Sequence, residues 1–132
     1  MKLHLGCGQR YFEGYLNIYF PSSCYTMHDK SFTDQRVDIL ALRYPLGSID
    51  EVRLHHVFEH SPNPILLLLN LYLITRKGGY QFHAIPHYKY TYDSHRNPTD
   101  IEHLVSDFEN KTDWKDISHN DDYIISAIEK IG

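Results

Sequence analysis

A chain of 132 residues, 42% of them hydrophobic and 23% charged, has room for one domain with a buried core and is small for a complete α/β enzyme. Its formal charge of −4 argues against a protein that grips nucleic acid by bulk electrostatics, which needs clustered Lys and Arg. Its two cysteines, Cys7 and Cys24, form no spaced disulfide framework, so the chain reads as cytoplasmic.

The first apolar run, Lys2–Leu5, has strand length and leads straight into Gly6-Cys7-Gly8. Neither glycine carries a Cβ, so the backbone there can turn sharply and come close to a ligand, a geometry that suits a nucleotide-like cofactor. The third glycine of the dinucleotide fingerprint is missing. Further strands are expected over residues 15–20, 51–55 and 80–85, each bounded by Gly, Pro or Asp, with a short one at 37–40. Only about ten residues separate Leu5 from the second strand. A parallel crossover normally takes roughly a dozen or more, so the first helix is expected to be one or two turns within 9–13. Residues 21–36 are polar and read as a loop or short helix.

Residues 63–75 have helix length, with Pro62 and Pro64 at the start and Gly78-Gly79 beyond the end. Strand, helix and strand make a βαβ unit, and such units build parallel sheets whose ligands lie outside the carboxyl ends of the strands, where the strand order reverses. That edge would gather Gly6-Cys7-Gly8, the stretch 55–60 and Pro86-His87. The longest apolar stretch, 65–69 with 71–74, falls short of the roughly 18 residues of a membrane span. No signal peptide precedes the first strand, so neither secretion nor a membrane partner is expected.

Beyond Tyr88 the chain turns polar. A helix over 100–108, capped by Thr99 or Asp100, is expected, and 121–131 carries Ile124, Ile125, Ile128 and Ile131 at helical spacing. The organisation is a core over 1–88 and an extension over 89–132 that is not a separate domain.

In order and spacing, Leu5-Gly6-Cys7-Gly8, Gly14-Tyr15-Leu16-Asn17-Ile18, Val37-Asp38-Ile39-Leu40, His55-His56-Val57-Phe58-Glu59-His60 and Arg76-Lys77-Gly78-Gly79-Tyr80 resemble the blocks of the class I S-adenosylmethionine (SAM)-dependent methyltransferases. The likeness is to small bacterial members with LGCG, VLEH and LKPGG blocks, and it covers Met1 to about Tyr88. It implies an α/β, Rossmann-like parallel sheet with flanking helices, here without the last two strands, for which no candidate follows Tyr88. It also implies a SAM-dependent methyltransferase acting on a small-molecule or sugar-related acceptor.

By that resemblance Leu5, Gly6, Cys7 and Gly8 line the methionine part of the cofactor through their backbone. Asp38 faces the adenine amino group, with Ile39 and Leu40 adding backbone and apolar contacts. His55 and His56 present groups to cofactor and acceptor, and His60 is the candidate base. Tyr19 stands where the family places an acidic residue that holds both ribose hydroxyls. A phenol makes one hydrogen bond or stacks on adenine, but it does not accept from two hydroxyls as a carboxylate does. The other reading is therefore a relative that kept the fold, lost SAM and serves as a homo-oligomeric or regulatory binding module.

Methyl transfer requires no universal catalytic side chain, because the methyl carbon is already activated and the protein mainly aligns donor and acceptor. Ten histidines raise the question of a metal. His56 and His60 share a face if their segment is helical, and His83 and His87 end the neighbouring strand. With no His-Glu-x-x-His motif, no Cys pair and no fixed third ligand, no metal is expected. His95, His103 and His119 are expected at the surface. Tyr88, Tyr90 and Tyr92 alternate, so an extended segment would point them one way, either walling an acceptor site or packing on the sheet end. Strand 80–85 would be an open apolar edge, which a homodimer, or else a docked C-terminal helix, is expected to cover.

Overall fold

The computed structural model describes residues 1–21, 32–91, 94–95 and 97–114. Cys24, Tyr92, His119 and the helix expected over 121–131 lie outside the described residues. The chain forms β1 (Lys2–Leu5), β2 (Leu16–Tyr19), β3 (Gln35–Arg36), β4 (Ile49–His55), α1 (Pro64–Ile74), β5 (Thr75–Ala84) and α2 (Ile101–Glu109). Short 3-10 turns occupy Ile39–Ala41, Phe58–His60 and Tyr88–Tyr90.

All strand pairs are parallel, in the order β3-β2-β1-β4-β5. The chain moves outward from β1 to β3 on one side and resumes with β4 and β5 on the other, so the order reverses between β1 and β4. This is an α/β fold with a Rossmann-like parallel sheet and flanking helices.

Local chemistry explains where the elements begin. The Asn63 side chain accepts from Leu66 N at 3.1 Å and Pro64 takes the first helical position, where its missing N–H costs nothing. Asp100 starts α2 in the same way, accepting from His103 N at 2.8 Å.

Three elements differ from expectation. No helix forms within 9–13: the Asn17 side chain holds that connection by accepting from Phe12 N and donating to Phe12 O, both at 3.0 Å. The third strand lies at Gln35–Arg36 rather than 37–40, because Asp38 caps a 3-10 turn by accepting from Leu40 N at 2.9 Å. Finally, α1 passes into β5 at Thr75 with no glycine stop. Gly78 and Gly79 instead sit in the register shift between the Ile49–Thr75 and Glu51–Tyr80 pairs, where a Cβ on Gly79 would lie 2.8 Å from Asp50 O.

The register gives the sheet two unlike faces. Leu3, Leu5, Ile18, Val52 and Leu54 fall on one, and with Leu67, Leu71 and Ile74 of α1 they form a single buried core. His4, Asn17, Arg53 and Phe82 fall on the other. There His4 stacks on Phe12 with ring centres 4.3 Å apart, and its Nδ1 is 2.9 Å from Asn17 Oδ1. Beside them Glu51 accepts from the Tyr15 hydroxyl, from Arg53 Nε at 2.8 Å and from Lys2 Nζ at 3.3 Å. These donors hold its carboxyl down at about 2, the Tyr15 hydrogen bond contributing most. Among the described residues no strand pairs with the outer edge of β5, where Tyr80 and Phe82 are exposed. Among them, too, no helix is long and apolar enough to cross a membrane.

Candidate functional site

The site follows from the switch point. Behind β1, Gly6 and Gly8 take φ of +66° and +53°, a region L side chains rarely adopt, and Cys7 N donates to Ile18 O at 3.1 Å. The turn is thus tied to the end of β2. Gly6 is also demanded by packing, since a Cβ there would lie 2.2 Å from Val57 Cγ2 in the loop after β4. The lack of a Cβ at Gly6 lets the chain's own valine close in. Cys7 is buried and its Sγ donates to Phe32 O at 3.3 Å. Burial pushes the thiol pKa up, so Cys7 is a small packing group and not a ready nucleophile.

Across the β2 and β3 ends, Tyr19 is buried, with Phe20 edge-on at 5.4 Å and the Arg36 guanidinium 5.6 Å from its ring centre. Asp38 stands next to it in the fold, because Val37 N donates to Tyr19 O at 2.9 Å. Its Oδ1 accepts both from Leu40 N and from Trp114 Nε1, the latter at 2.8 Å. Trp114 in turn packs on Phe20 at 5.0 Å between ring centres. Leu5 and Ile39 are fully buried, which leaves them only backbone groups to offer a ligand. Leu40 O is already an acceptor for Asn70 Nδ2 at 2.9 Å.

The β4 end carries the histidines. His55 sits edge-on to His4 at 5.9 Å and to Phe12 at 5.7 Å, and its buried Nε2 has no hydrogen-bond partner among the described residues. Burial, reinforced by the charges of Arg10 and Arg53, pushes its pKa down, so the ring is neutral at pH 7. His56 has φ of +54° and lies outside the Phe58–His60 turn, so it does not share a helix face with His60 as expected. The two are joined through Glu59 instead. Its Oε1 lies 3.5 Å from His56 Nδ1 and 3.9 Å from His60 Nε2, and both imidazoles are more than half exposed. Glu59 thus lies between two accessible imidazoles and can orient either ring.

The β5 end contributes less than expected. His83 shares the aliphatic face with Leu54 and packs edge-on to Phe58 at 5.8 Å; burial lowers its pKa. His87 caps the Tyr88–Tyr90 turn by accepting from Lys89 N at 3.3 Å. That turn replaces the extended segment on which Tyr88 and Tyr90 would have pointed one way, and His87 stacks on Tyr88 at 5.1 Å. Among the described residues no three His, Cys, Asp or Glu side chains are placed to hold a metal ion.

The sheet therefore gathers Gly6, Cys7, Gly8, Tyr19, Asp38, His55, His56 and His60 along one edge. Trp114 joins it unannounced: 76 positions from Asp38, its one sequence signal is being the sole tryptophan. No family model matches the chain, and neither the curated proteins nor the solved structures searched contain a significant match.

Proposed function

We propose that the chain is a class I SAM-dependent methyltransferase of the small bacterial type, acting on a small-molecule or sugar-related acceptor in the cytoplasm. One observation carries the reading: a Gly-Cys-Gly turn leaves the central strand of a parallel β3-β2-β1-β4-β5 sheet where the strand order reverses. The cofactor would lie over the Cys7-Gly8 backbone, against Tyr19 and toward Asp38. When bound, it supplies a methyl carbon already activated by a sulfonium. The chain's own residues then position and screen. Buried Tyr19 and Phe20 exclude water on the β2 side, and His60, oriented through Glu59, takes the proton that an acceptor hydroxyl or amine gives up.

The glycine turn supports this reading, and the ribose side supports it less. Tyr19 supplies no carboxylate for two hydroxyls, and one oxygen of Asp38 is held by Trp114. Those two observations favour a second reading, a fold relative without catalysis that serves as a binding module. Isothermal titration with S-adenosylhomocysteine separates them. The first reading expects micromolar binding, abolished by Gly8→Arg, whose side chain would occupy the place proposed for the cofactor. Folded protein that binds nothing up to millimolar ligand leaves the second.

A further inference from the structure

Two apolar surfaces of this chain face outward. The first is the outer side of α1. Its sequence, PILLLLNLYLI, is apolar nearly all round, as in a helix buried on every side. Leu67, Leu71 and Ile74 enter the core, yet Leu68, Leu69, Tyr72 and Leu73 are 42–73% exposed. Leu73 also borders an open groove of about 420 Å³ lined by Leu42, Tyr44 and Leu46, with exposed Arg43 at its side.

The second surface is on α2. Ile101, Leu104, Val105 and Phe108 recur at the spacing of one helical stripe, the side an amphipathic helix normally buries. Here Asp107 is the buried residue, while Ile101, Val105 and Phe108 are 37–63% exposed. The reason is the anchor: Asn63 Nδ2 donates to Asp107 O at 3.1 Å and to Thr112 O at 3.3 Å, fixing α2 by its polar side at the start of α1. The groove lies at the other end of α1, beside Asn70, Leu73 and Ile74. No residue of α2 lines the groove, so the stripe and the groove of one copy do not meet.

We infer that they meet between two copies: the α2 stripe of each chain fills the α1 groove of the other, in a reciprocal two-fold dimer. Charge supports this occupant, since exposed Glu102 and Glu109 flank the stripe, whereas exposed Arg43 lines the groove. The inference does not depend on the methyltransferase reading.

Sedimentation equilibrium of the full chain tests it. Wild type is expected to be a dimer. Leu73→Glu and Val105→Glu, both at exposed positions that leave the core intact by circular dichroism, are each expected to weaken it at least tenfold. Mixing the two variants restores association, because the mixed pair keeps one intact stripe-in-groove contact. Arg43→Glu and Glu109→Arg each weaken the dimer, and their combination recovers it. A wild-type monomer overturns the inference. If that monomer also binds no apolar dye, the patch is covered from within the chain. A dimer indifferent to both Leu73→Glu and Val105→Glu overturns it too, and assigns association to another surface such as the β5 edge.

Discussion

The two faces of the sheet are built on opposite principles. On one, aliphatic side chains from β1, β2 and β4 meet three residues of α1, and stability comes from area removed from water. On the other, the short β1–β2 connection leaves no room for a covering helix, and Phe12 and Tyr15 take its place over His4, Asn17, Glu51 and Arg53. Parallel sheets usually have both faces covered by helices and correspondingly apolar strands. Here the strands alternate, because the second face is closed by hydrogen bonds and stacked rings. The lesson is that a crossover too short for a helix forces the strands beneath it to carry polar, mutually satisfied side chains.

The sharpest way to break this comparison is at the aliphatic face. Leu71→Ala removes a fully buried side chain and leaves a cavity, so denaturant unfolding should show a loss of about 2–5 kcal/mol. A loss below about 1 kcal/mol would mean that α1 is not what stabilises the sheet. Next comes the polar face. Asn17→Leu strips hydrogen bonds from His4 Nδ1, Phe12 N and O, and Tyr15 O, and a cost of about 1–3 kcal/mol is expected. Amide exchange at Phe12 should accelerate along with it. Unchanged exchange would show that the connection is held by ring stacking alone.

The smallest effect is the pH response of the polar face, and its sign differs from indifference in two windows. Glu51 titrates at about 2 in the fold against an ordinary 4.5, so the stability it adds is present above 4.5 and is lost as pH falls from there toward 2. Glu51→Gln should flatten that window. His4 and His55 are lowered by burial below 6.5, so the unfolded chain binds more protons just below that value. Their contribution is complete above pH 6.5 and declines as pH falls through the interval down to their folded values. Urea midpoints measured from pH 8 to 3 would reveal both steps, and a flat profile would contradict the burial of these groups.

Much of the fold was legible because its signals are local. A strand ending in Gly6-Cys7-Gly8, a helix opened by Asn63 and Pro64 and another capped by Asp100 are each written within a few residues. Where local signals conflict, the reading slipped. Val37-Asp38-Ile39-Leu40 has the composition of a strand, yet the Asp38 carboxylate turns the chain there, and β3 closes two positions earlier at Arg36. The Gly78-Gly79 pair reads as a helix stop, but it serves the irregular entry of β5 because Asp50 O approaches within the space of a Cβ. At the site, strand ends foretold which residues share an edge. They did not foretell that Trp114 would occupy Asp38 or that Val57 would fill the space beside Gly6.

The division has a physical basis. Positive φ, helix caps and the alternation of side chains along a strand depend on covalent geometry and near neighbours, so the amino-acid order alone determined the elements and the glycine turn. Strand order, the buried Nε2 of His55, the outward stripe of α2 and the hold of Trp114 on Asp38 depend on contacts between distant segments. Such contacts exist only after chain entropy has been overcome by packing, and tertiary structure decided them.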